Sequence, residues 1–136
     1  MIDGYYISKD KSRLQIEKIK ELLKQTYWAY DRAEKTIVKS IENSVCYGVF
    51  DSYNNQVGFA RVITDYATVY YLCDVIIHNE YRGQGLGKLM IEFITKDDDL
   101  KNLHHGLLLT KNAHGLYEKY GFERNAEKFM HKIIVI

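Results

Sequence analysis

The run from Glu80 to Met90, EYRGQGLGKLM, sets Gly83, Gly85 and Gly87 within five positions, just where an apolar strand-like stretch gives way to helical spacing. Free backbone N–H groups at a helix start, together with the positive end of the helix dipole, make an anion site. Glycine lets a phosphate approach those amides without a Cβ in the way and accepts positive φ. Arg82 and Lys88 flank the loop with formal charge. Two familiar phosphate patterns fail. A dinucleotide fingerprint begun at Gly83 needs glycine where Lys88 stands, and an acid about twenty residues on, where Gly106 and Leu107 stand. A Walker A loop would keep Gly87-Lys88, but Arg82 replaces its first glycine and Leu89 its hydroxyl residue.

Other residues with chemical capacity are scattered. Asp74 is a lone carboxylate in the apolar run VYYLCDVII, and an acid buried there is costly without a partner or a task. It reads either as a satisfied structural group or as the residue that binds an amine or relays its proton. His78, whose ordinary pKa lies near neutrality, is the other candidate base. His104, His105 and His114 read as surface groups, and the absence of an H-x-x-x-H pair or carboxylate set gives no reason to expect a metal. Cys46 and Cys73 lack C-x-x-C spacing and read as reduced core residues. The one tryptophan, Trp28, lies in QTYWAYDR beside Tyr27 and Tyr30, which suits either interhelical packing or a substrate wall.

The elements that must position these groups follow from periodicity. Tyr5–Ser8 reads as a first strand, and Leu14, Ile16, Ile19, Leu22 and Leu23 define an amphipathic helix over residues 12–25 with Ser12 as its N-cap. A second helix covers residues 33–42. Val45–Asp51 and Gln56–Thr64 form a hairpin across the turn residues SYNN, and Val69–Ile77 is apolar enough for a central strand covered on both faces. A helix follows over residues 85–96, then a buried strand over 106–110, a short helix over 113–120 stopped by Gly121, and a last strand over 129–135. The order β-α-α-β-β-β-α-β-α-β describes an α/β fold with a mixed, mostly antiparallel sheet and helices on both faces. With 136 residues and no visible linker or repeat, one domain over residues 1–136 is expected. Nineteen basic and eighteen acidic residues, with no concentrated basic face, argue against nucleic acid as a partner. No run reaches the ~18 apolar residues of a membrane span, and the N-terminal MIDGYYISKDKSR has no signal core, so a cytoplasmic protein is expected.

Arg82-x-x-Gly85-x-Gly87 fits the [QR]-x-x-G-x-[GA] signature of the GCN5-related N-acetyltransferase (GNAT) superfamily. The longer stretch DVIIHNEYRGQGLGKLMIEFI resembles that superfamily's strand-loop-helix unit. Some thirty residues downstream, HGLYEKYGF resembles its later helix-and-turn motif, Gly115 excepted. The chain is most similar to small bacterial members carrying ARVITDYAT-type segments. It departs from the family at Asn79, where proline is usual, and at Asn112, which lies five rather than seven residues before the tyrosine.

This resemblance implies an acetyl-CoA-dependent transferase acting on a primary amine of a small molecule or peptide by direct transfer. The pantetheine arm would pair with the backbones of Val75, Ile76 and Ile77, and the pyrophosphate would rest on Arg82, Gly83, Gln84, Gly85, Leu86, Gly87 and Lys88, with Asn112 a further cofactor contact. Tyr117 would be the general acid for the departing thiolate, since a phenol of pKa ~10 can protonate a thiolate of similar basicity. The thioester carbonyl would be polarised by a strand amide, assigned to Ile77. Tyr27, Trp28, Asp65, Tyr66 and Asp74 would line the acceptor pocket, with Arg61 opposing a cationic acceptor and suiting one that bears a carboxylate. A non-catalytic acyl-CoA-binding sensor would need the same loop and strand. The apolar C-terminal HKIIVI could pair with a neighbour's sheet edge in a homodimer.

Overall fold

The structure, a computed structural model, describes residues 2–134. Five strands form one sheet in the order β1 (Tyr5–Ser8), β2 (Val45–Asp51), β3 (Gln56–Thr64), β4 (Val69–Ile77) and β5 (His105–Leu108). The first three junctions are antiparallel and β4–β5 is parallel, giving the mixed, mostly antiparallel sheet expected. In the β2–β3 hairpin, the Asp51 carboxylate accepts the Tyr53 and Asn55 amides, and Asn54 takes the positive φ that the turn requires.

Helices α1 (Ile16–Lys24) and α2 (Glu34–Glu42) cover one face, packing Ile19, Leu22, Leu23, Ile37 and Ile41 on Cys46, Phe59 and Ile76. Helices α3 (Leu86–Thr95) and α4 (His114–Glu118) cover the other. There Leu86, Met90, Ile91, Ile94 and Tyr117 join Tyr47, Val49, Val62 and Leu72. Each fully buried aliphatic side chain contributes about 1.5–3 kcal/mol, so these two apolar layers hold the sheet between them.

Four expectations are corrected. Ser12 does not cap α1. Its amide and hydroxyl both bind Asp10 in a 3-10 turn, and the helix begins after Gln15, which exchanges backbone-to-side-chain bonds with Gln56 of β3. β5 spans His105–Leu108 rather than residues 106–110. It is an edge strand, not a buried one: Leu107 and Leu109 are exposed. β4 is not fully covered on both faces: Tyr71 and Cys73, facing the α1/α2 side, are only partly buried. Finally, no strand forms over Phe129–Ile134, because this exposed segment has no neighbouring strand to pair with among the described residues; Val135, the last residue of that expected strand, lies outside them, as does Ile136.

β4 also contains an irregularity that periodicity does not reveal. Phe59 pairs with Ile76 and Arg61 with Cys73, so Ala60 alone faces two residues, Asp74 and Val75. This is a β-bulge, with Asp74 at φ 54. Strict alternation would send Asp74 to the apolar α3 side with Tyr70 and Leu72. The bulge instead turns Cys73 and Asp74, consecutive residues, toward the α1/α2 layer. A left-handed non-glycine residue costs of order 1 kcal/mol or more, which its surroundings must offset.

Candidate active site

The glycine loop bends as its composition requires. Gly83 and Gly85 take φ 86 and 88, and Gly85 is the left-handed residue immediately before α3. The first intrahelical bond runs from the Leu89 amide to the Gly85 carbonyl, so the amides of Leu86, Gly87 and Lys88 have no helical partner, and no side chain among the described residues caps them. A Cβ on Gly83 would meet nothing within 4 Å. Its glycine therefore serves backbone conformation and access rather than packing. Arg82 reaches back, its Nε donating to the Ile77 carbonyl at 2.9 Å, and so ties the loop to the end of β4.

Beside this loop the sheet opens. Pairing between β4 and β5 runs only from Val69–His105 to Leu72–Leu108, while β4 continues to Ile77. The β4 edge beyond Leu72 thus lacks a strand neighbour among the described residues. The His78 amide donates to Val57 of β3 at 2.8 Å, and amides alternate along a strand, so the Ile77 and Val75 amides point to this open edge. An extended ligand could bind there as an added strand and end at the amide-rich helix start.

Tyr117 of α4 lies in the core on the same side of the sheet as α3, its ring edge-on to Phe122 at 6.1 Å. Its hydroxyl has no protein partner among the described residues, and no buried side-chain oxygen or nitrogen goes unsatisfied, so the hydroxyl keeps contact with solvent. Burial of the ring pushes its pKa up to about 12, keeping it protonated at neutral pH. The Tyr120 hydroxyl donates to the Lys88 carbonyl at 3.2 Å and ties the turn after α4 to the first turn of α3.

On the other side of the sheet Asp74 is 95% buried. Its Oδ1 accepts from Trp28 Nε1 at 3.0 Å, and its Oδ2 accepts from Arg32 Nη1 at 2.8 Å and Arg61 Nε at 2.9 Å. Burial pushes the pKa of Asp74 up, but the two guanidiniums outweigh it and hold the carboxyl below its ordinary value. Arg61 Nη1 donates further to Ser44 Oγ at 3.1 Å. The α1–α2 connection, the residue just before β2, β3 and β4 therefore meet at the bulge.

Residues 42–124, from the end of α2 through α4, match the family profile described as an acetyltransferase (GNAT) domain. The chain belongs to the GNAT family. A Gibberella zeae protein classed as an acetyltransferase, FG08082, is 27% identical over 85% of this chain and 76% of its own length. A solved structure from Xanthomonas campestris, assigned to the GNAT family of acetyltransferases, is 37% identical and covers 98% of this chain and 96% of its own, with TM-score 0.91. Glucosamine-6-phosphate N-acetyltransferase from Arabidopsis thaliana, at 18% identity, shares the fold alone: TM-score 0.71, covering 97% of this chain and 100% of its own. This GNAT protein is an N-acetyltransferase of a family that uses acetyl-CoA. No described helix is long and apolar enough to cross a membrane, and no three described His, Cys, Asp or Glu residues group as metal ligands.

The remaining site residues named from sequence divide clearly. Tyr27 and Trp28 stand edge-on at 5.0 Å, both well exposed, and Lys111 from the β5–α4 connection lies 5.4 Å above the Tyr27 ring. Asp65 is occupied by its own turn. Its carboxylate accepts from the Thr68 hydroxyl and from the amides of Ala67, Thr68 and Val69, and these bonds hold its pKa well below the usual range. Tyr66 sits in that turn at φ 62, exposed. His78 has both ring nitrogens engaged: Nδ1 accepts from the Glu80 amide and Nε2 meets Glu21 at 3.0 Å. Asn112 is exposed. Sequence reading missed Arg32. The available signal was Asp74 itself, since a buried acid obliges cations to come to it.

Proposed function

We propose that the protein transfers the acetyl group of acetyl-CoA directly to a primary amine, using one site on a single domain. The observation that carries this reading is a β4 edge that, among the described residues, has no strand neighbour beyond Leu72 and leads into uncapped amides at the start of α3, with the unpartnered phenol of Tyr117 on α4 on the same side of the sheet as α3. In this reading the diphosphate sits on the loop from Arg82 to Lys88 and the pantetheine arm runs back along Ile77, Ile76 and Val75. Since Ile77 adjoins the loop, it serves the phosphate end of the arm. The thioester then lies at the bulge, and the Val75 amide rather than that of Ile77 polarises its carbonyl. The neutral amine attacks the carbonyl carbon, the C–S bond breaks, and the thiolate takes the Tyr117 proton. Asp74, already shared by three donors and kept ionised, organises the acceptor side instead of accepting a proton. The amine's proton leaves to water.

Thiol release from acetyl-CoA against a panel of amines, amino acids and peptides tests the reading. Calorimetry that detects no heat with acetyl-CoA or CoA would overturn it. We also infer a homodimer in which the exposed apolar segment around Ile133 and Ile134 pairs with the free edge of β5 in a second copy. Light scattering should then give twice the chain mass, and Ile133→Lys should shift it to one; a monomeric parent protein would refute the pairing.

A further inference from the structure

The bulge end of the cleft carries more positive charge than its own acid can answer. One carboxylate, Asp74, serves both Arg32 and Arg61, leaving about one unit of uncompensated positive charge where the side chains are only 22% and 13% exposed. The donor count points the same way. A guanidinium has five N–H groups. Arg61 spends Nε on Asp74 and Nη1 on Ser44, while Arg32 spends Nη1 on Asp74. Arg61 Nη2 and Arg32 Nε and Nη2 have no protein partner among the described residues, and because no buried side-chain nitrogen or oxygen of those residues is left unsatisfied, these nitrogens keep exposure to solvent. Lys111 adds a further cation at the aromatic rim formed by Tyr27 and Trp28.

We infer that the acceptor amine also bears a carboxylate, which Arg32 and Arg61 hold through their free N–H groups while the amine lies over the bulge at Asp74 and Val75. The inference rests on the acetyl-transfer reading above. A planar fork of donors suits a carboxylate in a way a single ammonium would not. A polyamine or other purely cationic acceptor fares worse here. Asp74, the acid it would seek, already accepts three hydrogen bonds, and both neighbouring guanidiniums repel it. Asp65 is likewise consumed by its turn.

Trp28, the one tryptophan, donates to Asp74 and so reports on this site. Protein saturated with CoA is titrated with paired ligands of one framework, phenylalanine against phenethylamine and lysine against cadaverine, while Trp28 emission is followed. The carboxylate member should saturate the change at about 10- to 100-fold lower concentration. Arg32→Gln should bring each pair to within about threefold, and Arg32→Lys, which keeps the charge without the fork, should fall between. Equal response to both members, response to neither, or an unchanged ratio in Arg32→Gln would overturn the inference. Should Arg32→Gln not fold, Arg32→Lys decides by the same ratio. CoA binding, measured separately by calorimetry, tells the two failures apart: intact binding without discrimination sinks only the carboxylate assignment, and absent binding sinks the transferase reading with it.

Discussion

At the loop end of the cleft, Gly83, Gly85 and the first turn of α3 present main-chain amides, all drawn from one stretch of seven residues. At the bulge end, Asp74, Arg61, Arg32, Trp28 and Ser44 converge from two strands, a strand's approach and the α1–α2 connection. Backbone recognition asks little of side-chain identity and tolerates change around it. Side-chain recognition is held in place by charges that cannot be removed singly, because each leaves another buried without its partner. The two ends should therefore respond to mutation in different ways.

The largest effect is expected at the bulge. Asp74→Ala strands two partly buried guanidiniums and should lower stability by about 3–5 kcal/mol in chemical denaturation. A loss below 1 kcal/mol would mean that the cluster is solvated like a surface pair. Next comes Tyr117→Phe, which should reduce turnover a hundredfold or more, about 2.7 kcal/mol, with the calorimetric affinity for acetyl-CoA within twofold. Unchanged turnover would remove Tyr117 from the proton-donating role. Gly85→Ala tests the other end. Its φ of 88 imposes about 1–2 kcal/mol of strain on any side chain, so coenzyme affinity should fall roughly tenfold while discrimination between acceptors is retained.

A smaller effect should appear in the dependence of stability on pH. Asp74 is held below its ordinary 3.8, so its contribution is present above that value and disappears as pH falls further. Tyr117 is raised from 10.0 to about 12, so its contribution is present below pH 10 and is lost between pH 10 and 12. Melting temperature followed against pH should show a smaller acid loss in Asp74→Asn, with Asp65 and Asp97 supplying the rest, and a smaller alkaline loss in Tyr117→Phe, with Tyr47, Cys46 and Cys73 supplying the rest. An acid or alkaline loss of unchanged size in the variant would mean that Asp74 or Tyr117 contributes nothing to it.

The same contrast explains which features the sequence reveals. The bounds of β2, β3 and β4 coincide with those read from strand-like composition and intervening turn residues, and the glycine loop with its helix start was recognisable because its determinants are contiguous. Gln15 took the place of Ser12 at the start of α1 because its partner, Gln56, lies forty-one residues away. Arg32 went unnoticed for the same reason: its bond to Asp74 spans forty-two residues. Burial of β5 was overestimated because an apolar composition does not tell an edge strand from a central one, and the sheet ends there. Phe129–Ile134 has strand-like composition, but composition supplies no partner to pair with.

The extra residue in β4 makes this strand sensitive to length rather than to identity. Removing Val75 would restore an even step opposite Ala60 and rotate the acid toward Leu72 and the α3 layer, away from both arginines. A one-codon deletion at this point should thus be less tolerated than any single exchange in the strand, whereas lengthening the exposed turn at Asn54 by one residue should leave folding intact.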